Sequence, residues 1–338
     1  MGDTLLFSRE PGAWKRFDSI RSEDAAERVR GVVSRTPLQP IESGNARIEL
    51  RAKLENRQET GAFKARGAWN QIAQLTDAQR KAGVVCASSG NHGKALAWAA
   101  QRAGVRATIV MPANAYANKV QACRDFGAEV VLMPTREAAD VEVERRVKAG
   151  SVLVHPYDAA RTLEGAGTVG LEIAQDWPEV DAIVIPVGGG GLVAGSALAL
   201  RRALGERVKI YGAEPEGAPT LTRGIERGAP VVVEKITSKV QGLTPLYCGA
   251  INIEIALATL DGVFLLRDEQ IFAAQKRLVA AGETVEPAGA AACAAVFEGL
   301  VPPSGARMRV AAVVSGGNPD PAQLQSVRDE LAAERARK

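Results

Sequence analysis

Short apolar runs alternate with stretches of helical period along most of the chain. From residue 84 the alternation is regular. Segments 84–88, 106–111, 129–133 and 151–155 read as buried strands. Between them 94–103, 115–126 and 136–149 read as helices, closed by Gly104, Gly127 and Gly150. After a long helix over 162–176 the rhythm returns with a strand over 182–187, a helix over 192–204 closed by Gly205, and a strand over 209–213. Residues 216–262 are less regular. Helices over 268–281 and 287–300 and a strand over 307–314 follow, and Asp320 caps a last helix with Pro321 at its first position. Ahead of this, 1–22 reads as an extension, 22–33 as a helix capped by Ser22, 47–54 as a strand and 63–75 as a helix capped by Thr60.

Apolar strands alternating with glycine-terminated helices predict an α/β fold with parallel-rich sheets flanked by helices. The strands fall into two groups, so two lobes are expected: a large one from residues 1–78 and 156–338, and a small one from 79–155. At 338 residues and 46% hydrophobic content the chain can fill both cores. Aromatics make up only 4%, so small side chains must do most of the packing. A net charge of +3, with acids and bases intermixed, gives no nucleic-acid or membrane footprint. The four cysteines lack metal or disulfide spacing, the two histidines are far apart, and no apolar run reaches membrane-spanning length. A cytoplasmic protein with no metal site is expected.

Open parallel sheets bind ligands at the carboxyl ends of their strands. Three such ends carry Gly, Ser or Asn: Ser88-Ser89-Gly90-Asn91-His92-Gly93, Gly188-Gly189-Gly190-Gly191 and Ser315-Gly316-Gly317-Asn318. The glycine run opens a helix, where converging N–H groups favour a phosphate. The 88–93 loop also opens a helix and suits a carboxylate, although Ser and Asn are ordinary caps too. Lys64 lies just inside a helix start beside Phe63, where dipole and burial both disfavour its ammonium form. On local sequence alone it reads more readily as a snorkelling surface lysine. An amine nucleophile, a phosphate cup, a carboxylate cup and a neutral hydroxyl at Ser315 are together what pyridoxal phosphate and an amino acid require. A rival reading takes Gly189 to Ala194 as a G-x-G-x-x-A turn with Glu214 reading a ribose, as in a nicotinamide dehydrogenase. It leaves Lys64 and the 88–93 loop without a role. A catalytically silent ligand-binding protein is the other alternative.

These motifs, with Thr60-Gly61-Ala62-Phe63-Lys64-Ala65-Arg66-Gly67-Ala68, stand in the order found in the serine/threonine dehydratase family, which includes serine racemase. The resemblance covers about residues 30–318 and implies the tryptophan-synthase-β-like fold of type II pyridoxal-phosphate enzymes. It implies that Lys64 carries the cofactor and moves the α-proton, and that Ser89 serves as acid or base on the opposite face. It gives Phe63, Asn91, Gly188, Gly189, Gly190, Gly191, Leu192 and Ser315 to the cofactor. The backbone of Ser88, Ser89, Gly90, Asn91 and His92 goes to the substrate carboxylate. The implied reaction is loss of water and ammonia from a β-hydroxy amino acid such as threonine, serine or 3-hydroxyaspartate, with racemisation as the alternative. A homodimer or higher homo-oligomer is expected. Two departures stand out. Ala62 replaces a frequent serine. A cation site of some members maps to Glu214, Ala218 and Thr220, where threonine stands in place of an acid. Glu286 matches a family glutamate near the active site, without an assignable role.

Overall fold

Two sheets organise the protein, seen in a computed structural model that describes residues 4–303 and 305–337. The chain starts with edge strand β1 (Thr4–Leu6), then α1 (Ser22–Val29), β2 (Leu38–Ile41), β3 (Ile48–Leu54), α2 (Lys64–Ala73) and α3 (Asp77–Ala82). Strands β4 (Val84–Ala87), β5 (Ala107–Pro112), β6 (Glu129–Met133) and β7 (Val152–Leu153) are separated by α4 (Asn91–Ala103), α5 (Ala117–Asp125) and α6 (Arg136–Lys148). α7 (Ala160–Asp176) then leads to β8 (Ala182–Pro186), α8 (Gly191–Leu204), β9 (Lys209–Pro215), α9 (Thr220–Arg227), α10 (Ala250–Thr259) and β10 (Gly262–Leu266). The chain closes with α11 (Asp268–Ala280), α12 (Pro287–Phe297), β11 (Met308–Val314) and α13 (Pro321–Ala336).

The larger sheet runs β1-β10-β9-β8-β11-β3-β2, and the smaller runs β6-β5-β4-β7. Every pairing is parallel except the two outermost of the large sheet, β1 with β10 and β2 with β3. Central strands are covered on both faces, which is why β8 is apolar and buried throughout. Alanine-rich α12 is buried along almost its whole length against the large sheet. The N-terminal strands β1, β2 and β3 join this sheet.

Some elements differ from the sequence reading. Residues 1–22 are not a plain extension: β1 pairs on the sheet edge and 13–17 forms a 3-10 turn. Arg21, not Ser22, caps α1, and the Ser22 hydroxyl is buried without a partner. That helix stops at Val29 because Gly31 takes a left-handed conformation. Thr60 does not cap α2; its hydroxyl donates to the Ala62 carbonyl, and the helix begins at Lys64. The irregular region 216–262 contains α9 and α10. α10 is apolar on nearly every side, so it shows no amphipathic period, and β10 follows it after only two residues.

Behind α2 lies a fully buried charge cluster. The Arg66 guanidinium donates to both Glu55 oxygens at 2.8 Å and to Glu172 at 2.7 and 2.8 Å. Lys53 donates to Glu172 at 2.5 Å and to the Thr36 carbonyl at 2.7 Å. Two cations thus face two carboxylates, joining β3, α2 and α7. Burial alone would push Glu55 up, but the Arg66 charge holds it below the ordinary carboxylate range.

Candidate active site

Lys64 is the first residue of α2, directly after a segment bonded to the loop that ends β11. Ala62 bridges Gly316, Phe63 N–H donates to the Ser315 carbonyl at 3.1 Å, and Gly317 N–H donates to Gly61 at 2.7 Å. The Lys64 amine donates to the Pro156 carbonyl at 2.6 Å and sits 5.0 Å from the centre of the Phe63 ring. Burial lowers its pKa from 10.5 to about 8, and the nearby Cys86 thiol opposes this weakly. Among the described residues it has no carboxylate partner within 4 Å. A poised amine, rather than an ion-paired surface lysine, is what this position produces.

The 88–93 loop joins β4 to α4. The Ser88 hydroxyl accepts from Gly90 N–H at 3.3 Å and Gly93 N–H at 3.1 Å, closing the turn. Gly90 N–H is therefore committed inside the loop. The N–H groups of Ser89, Asn91 and His92 make no hydrogen bond to described residues and remain for a ligand at the helix start. Nor does the Ser89 hydroxyl have a partner among described residues. His92 is buried, and its Nε2 lies 2.8 Å from the Val154 carbonyl. Burial, with Lys64 adding to it, lowers its pKa to about 3, so it is neutral and donates there. Its side chain holds the loop to the β7 end.

Asn91 connects the loops. Its Nδ2 donates to Glu286 at 2.5 Å, and its Oδ1 accepts from Asn318 at 2.8 Å. One Nδ2 hydrogen stays free. Asn318 also donates to the Thr60 carbonyl at 2.8 Å, and Lys94 donates to Asn318 Oδ1 at 2.9 Å. Glu286 N–H donates to Gly316 at 3.1 Å. Burial raises the Glu286 carboxyl above its usual range, and the Asn91 hydrogen bond opposes this. Glu286 thus fixes the Asn91 amide, the role its sequence left open. Ser315 is buried at the end of β11, and its hydroxyl makes no hydrogen bond to another described residue.

The glycine run lies between β8 and α8. Gly190 has φ +90°, a conformation that favours glycine. A side chain on Gly189 would meet the Tyr157 ring at 2.3 Å, so the backbone there is pressed against an aromatic face. Asn252 Nδ2 and Gly249 N–H hold the Gly189 carbonyl at 2.7 and 3.1 Å. That turns a carbonyl away and leaves amides at the start of α8 for an anion. Tyr157 follows Pro156, the partner of Lys64, and so ties the cup to the amine. Leu192 places its side chain in the core and offers only its backbone to the cup.

Three of the four sequence motifs are bonded to one another, and the glycine run is linked to Lys64 through Tyr157 and Pro156. The Pro156 carbonyl, Asn252 and the linking role of Asn318 were not foreseen, whereas Tyr157 reads from the sequence either as a residue that shapes specificity or as plain packing. Asn318 lies in a flagged motif, but a backbone carbonyl carries no side-chain signal. Glu214 does not read a ribose. It is fully buried, with its oxygens taken by Leu221 N–H at 3.0 Å, Thr222 N–H at 2.8 Å and the Thr222 hydroxyl at 2.5 Å. Burial raises its pKa to about 7, against these hydrogen bonds. The same contacts cap α9 and occupy the carboxylate at the position of the family's cation site. Among the described residues no group of three or more His, Cys, Asp or Glu side chains could hold a metal.

A lysine amine next to an amide-lined cup, in a two-sheet α/β fold, defines a pyridoxal-phosphate enzyme of fold type II. The cradle fits the cofactor in that a side chain at Gly189 has no room and the amine is only weakly basic. Residues 29–316 match the family model described as pyridoxal-phosphate dependent enzyme, and the chain belongs to that family, in its serine/threonine dehydratase branch. It is 37% identical over 303 residues to the L-threonine ammonia-lyase of Thermotoga maritima, covering 88% of this chain and 75% of that one. It is 36% identical over 297 residues to the phenylserine dehydratase of Ralstonia pickettii, covering 87% and 89%. The structure of maize serine racemase superposes with a TM-score of 0.85 at 34% identity, covering 94% of this chain and 98% of that one. The enzyme depends on pyridoxal phosphate, and its chemistry is that of a dehydratase, ammonia-lyase or racemase.

Proposed function

We propose that the protein is an ammonia-lyase that converts a β-hydroxy amino acid to a 2-oxo acid and ammonia. The observation that carries this is Lys64, an amine with its pKa lowered to about 8 beside the glycine cup. Pyridoxal phosphate, when bound, supplies an aldehyde for the substrate amine and a ring that draws electrons from Cα. The amides at Gly188–Gly191 would hold its phosphate, the free Nδ2 hydrogen of Asn91 would meet its ring hydroxyl, and Phe63 would pack against it. The Ser315 hydroxyl would bond the ring nitrogen and, being neutral, would not keep it protonated as a carboxylate would, a setting that would favour prompt loss of the β-hydroxyl.

The N–H groups of Ser89, Asn91 and His92 bind the substrate carboxylate and set the Cα–H bond toward Lys64. The Lys64 amine removes that proton. With net return of the proton that Lys64 removed, the β-hydroxyl departs as water; the released enamine tautomerises to the imine, which takes up water and loses ammonia. In net terms the substrate loses one ammonia and rearranges to the 2-oxo acid. We assign residues 79–155 to a lobe that grips the substrate and the remainder to a lobe that holds the cofactor. Among the described residues no helix is long and apolar enough to cross a membrane.

Racemisation is the second reading, favoured by the partnerless Ser89 hydroxyl in the carboxylate loop. Lys64 and Ser89 would then exchange protons on opposite faces of Cα. Ser89→Ala separates the two: it should abolish inversion of L-serine while 2-oxo acid production persists, and equal survival of both would refute the role of Ser89. Threonine, serine, 3-hydroxyaspartate and phenylserine are the candidate substrates, and phenylserine is the substrate named for one of the relatives.

A further inference from the structure

We infer that Tyr157 and Tyr247 form a ring-binding wall that makes the site selective for β-hydroxy amino acids with an aryl β-substituent. The inference rests on the lyase reading for its reaction, not for its binding. Tyr157 is fixed on three sides. Its ring lies against Gly189, where a side chain would meet it at 2.3 Å. His155 packs edge-on at 4.9 Å between ring centres. The His155 Nδ1 accepts from Tyr157 N–H at 3.3 Å and Asp158 N–H at 2.8 Å, which sets the imidazole and the turn together. The remaining side faces Tyr247, with centres 6.0 Å apart and planes at 72°.

Tyr247 is held from the same cup. Cys248 Sγ lies 3.5 Å from the Gly189 carbonyl, and Gly249 N–H donates to it at 3.1 Å. Both tyrosine rings remain partly exposed although Cys248, Gly249 and Val154 around them are buried. The preceding Pro156 carbonyl receives the Lys64 amine at 2.6 Å, so Tyr157 directly follows the residue that holds the amine. The chain has only four tyrosines, and two of them meet at this point. A methyl or hydrogen at Cβ of the substrate leaves such rings uncovered. An aryl group stacks on them edge-to-face or offset, a geometry that two rings already inclined to each other accept.

The test uses the holoenzyme and reads kcat/KM for phenylserine relative to threonine. In Tyr247→Ala the ratio should fall by about tenfold, the size of one aromatic contact and its buried area. Tyr247→Phe should retain it. The visible band of the bound cofactor, unchanged in position, establishes that each variant is folded and loaded. Titrating that band with phenylserine and threonine gives the same comparison for binding alone. A ratio unmoved by Tyr247→Ala, in turnover and in titration, overturns the inference. Absence of 2-oxo acid from both substrates in the unaltered enzyme sinks the lyase reading instead, and the titration then decides the ring wall by itself.

Discussion

An amine at the start of a helix, half-buried and without a counter-ion among the described residues, is a cost that only chemistry explains. The folded pKa of Lys64 is near 8 and the unfolded one near 10.5. Below about 8 both states hold the proton, and the fold bears the burial of a charge. Between the two values the unfolded chain binds more protons, so apoprotein stability rises with pH across that window. Lys64→Met should therefore raise the denaturant midpoint of the apoprotein at neutral pH while abolishing cofactor capture; a lowered midpoint would contradict the assignment. Stopped-flow absorbance should show apoprotein capturing pyridoxal phosphate faster as pH rises, levelling above about 8 as the neutral amine saturates. A rate that falls over the same range would place the reactive form elsewhere. At the cup, Gly189→Ala pushes a methyl into the Tyr157 ring. Cofactor affinity in a fluorescence titration should drop at least tenfold, about 1.4 kcal/mol.

At the scale of elements, α2 is aimed by the cluster beneath it. Arg66 lies two residues beyond Lys64 and bonds Glu55 after β3 and Glu172 on α7. Removing one member strands the opposite charges in the core. Arg66→Ala should cost on the order of 3–5 kcal/mol in equilibrium unfolding. A change below about 1 kcal/mol would mean the cluster does not hold the helix. Sequence made α2 legible through its motif but not this support, since nothing in the chain marks Lys53, Glu55 and Glu172 as partners until the fold buries them together. The βα rhythm of 84–155 and 182–213 was legible because each strand is short and apolar and each helix stops at a glycine. α10 and β10 were hidden for the opposite reason: an apolar helix runs almost directly into a strand, with only Leu260 and Asp261 between. The three loops read as candidate ligand sites, yet the bonding of two of them, 88–93 and 315–318, through Asn91, Glu286 and Asn318 is a property of the assembled fold.

Over the whole molecule, the start of α2 and the loops that end β4 and β11 are bonded to one another, and Pro156 and Tyr157 link them to the loop that ends β8. Free pyridoxal phosphate at a hundredfold over its dissociation constant should stabilise the protein by about 2.7 kcal/mol, read as a raised Tm that Lys64→Ala largely loses. The central claim is elimination by Lys64 rather than inversion. Its most direct test is one product analysis: holoenzyme incubated with L-threonine, L-serine and phenylserine, with 2-oxo acid, ammonia and the enantiomer of each substrate quantified together. The account predicts 2-oxo acid and ammonia in equal amounts from at least one of them, exceeding any inverted amino acid and lost in Lys64→Ala. Inverted amino acid as the main product, or 2-oxo acid formed at the same rate without Lys64, would contradict it.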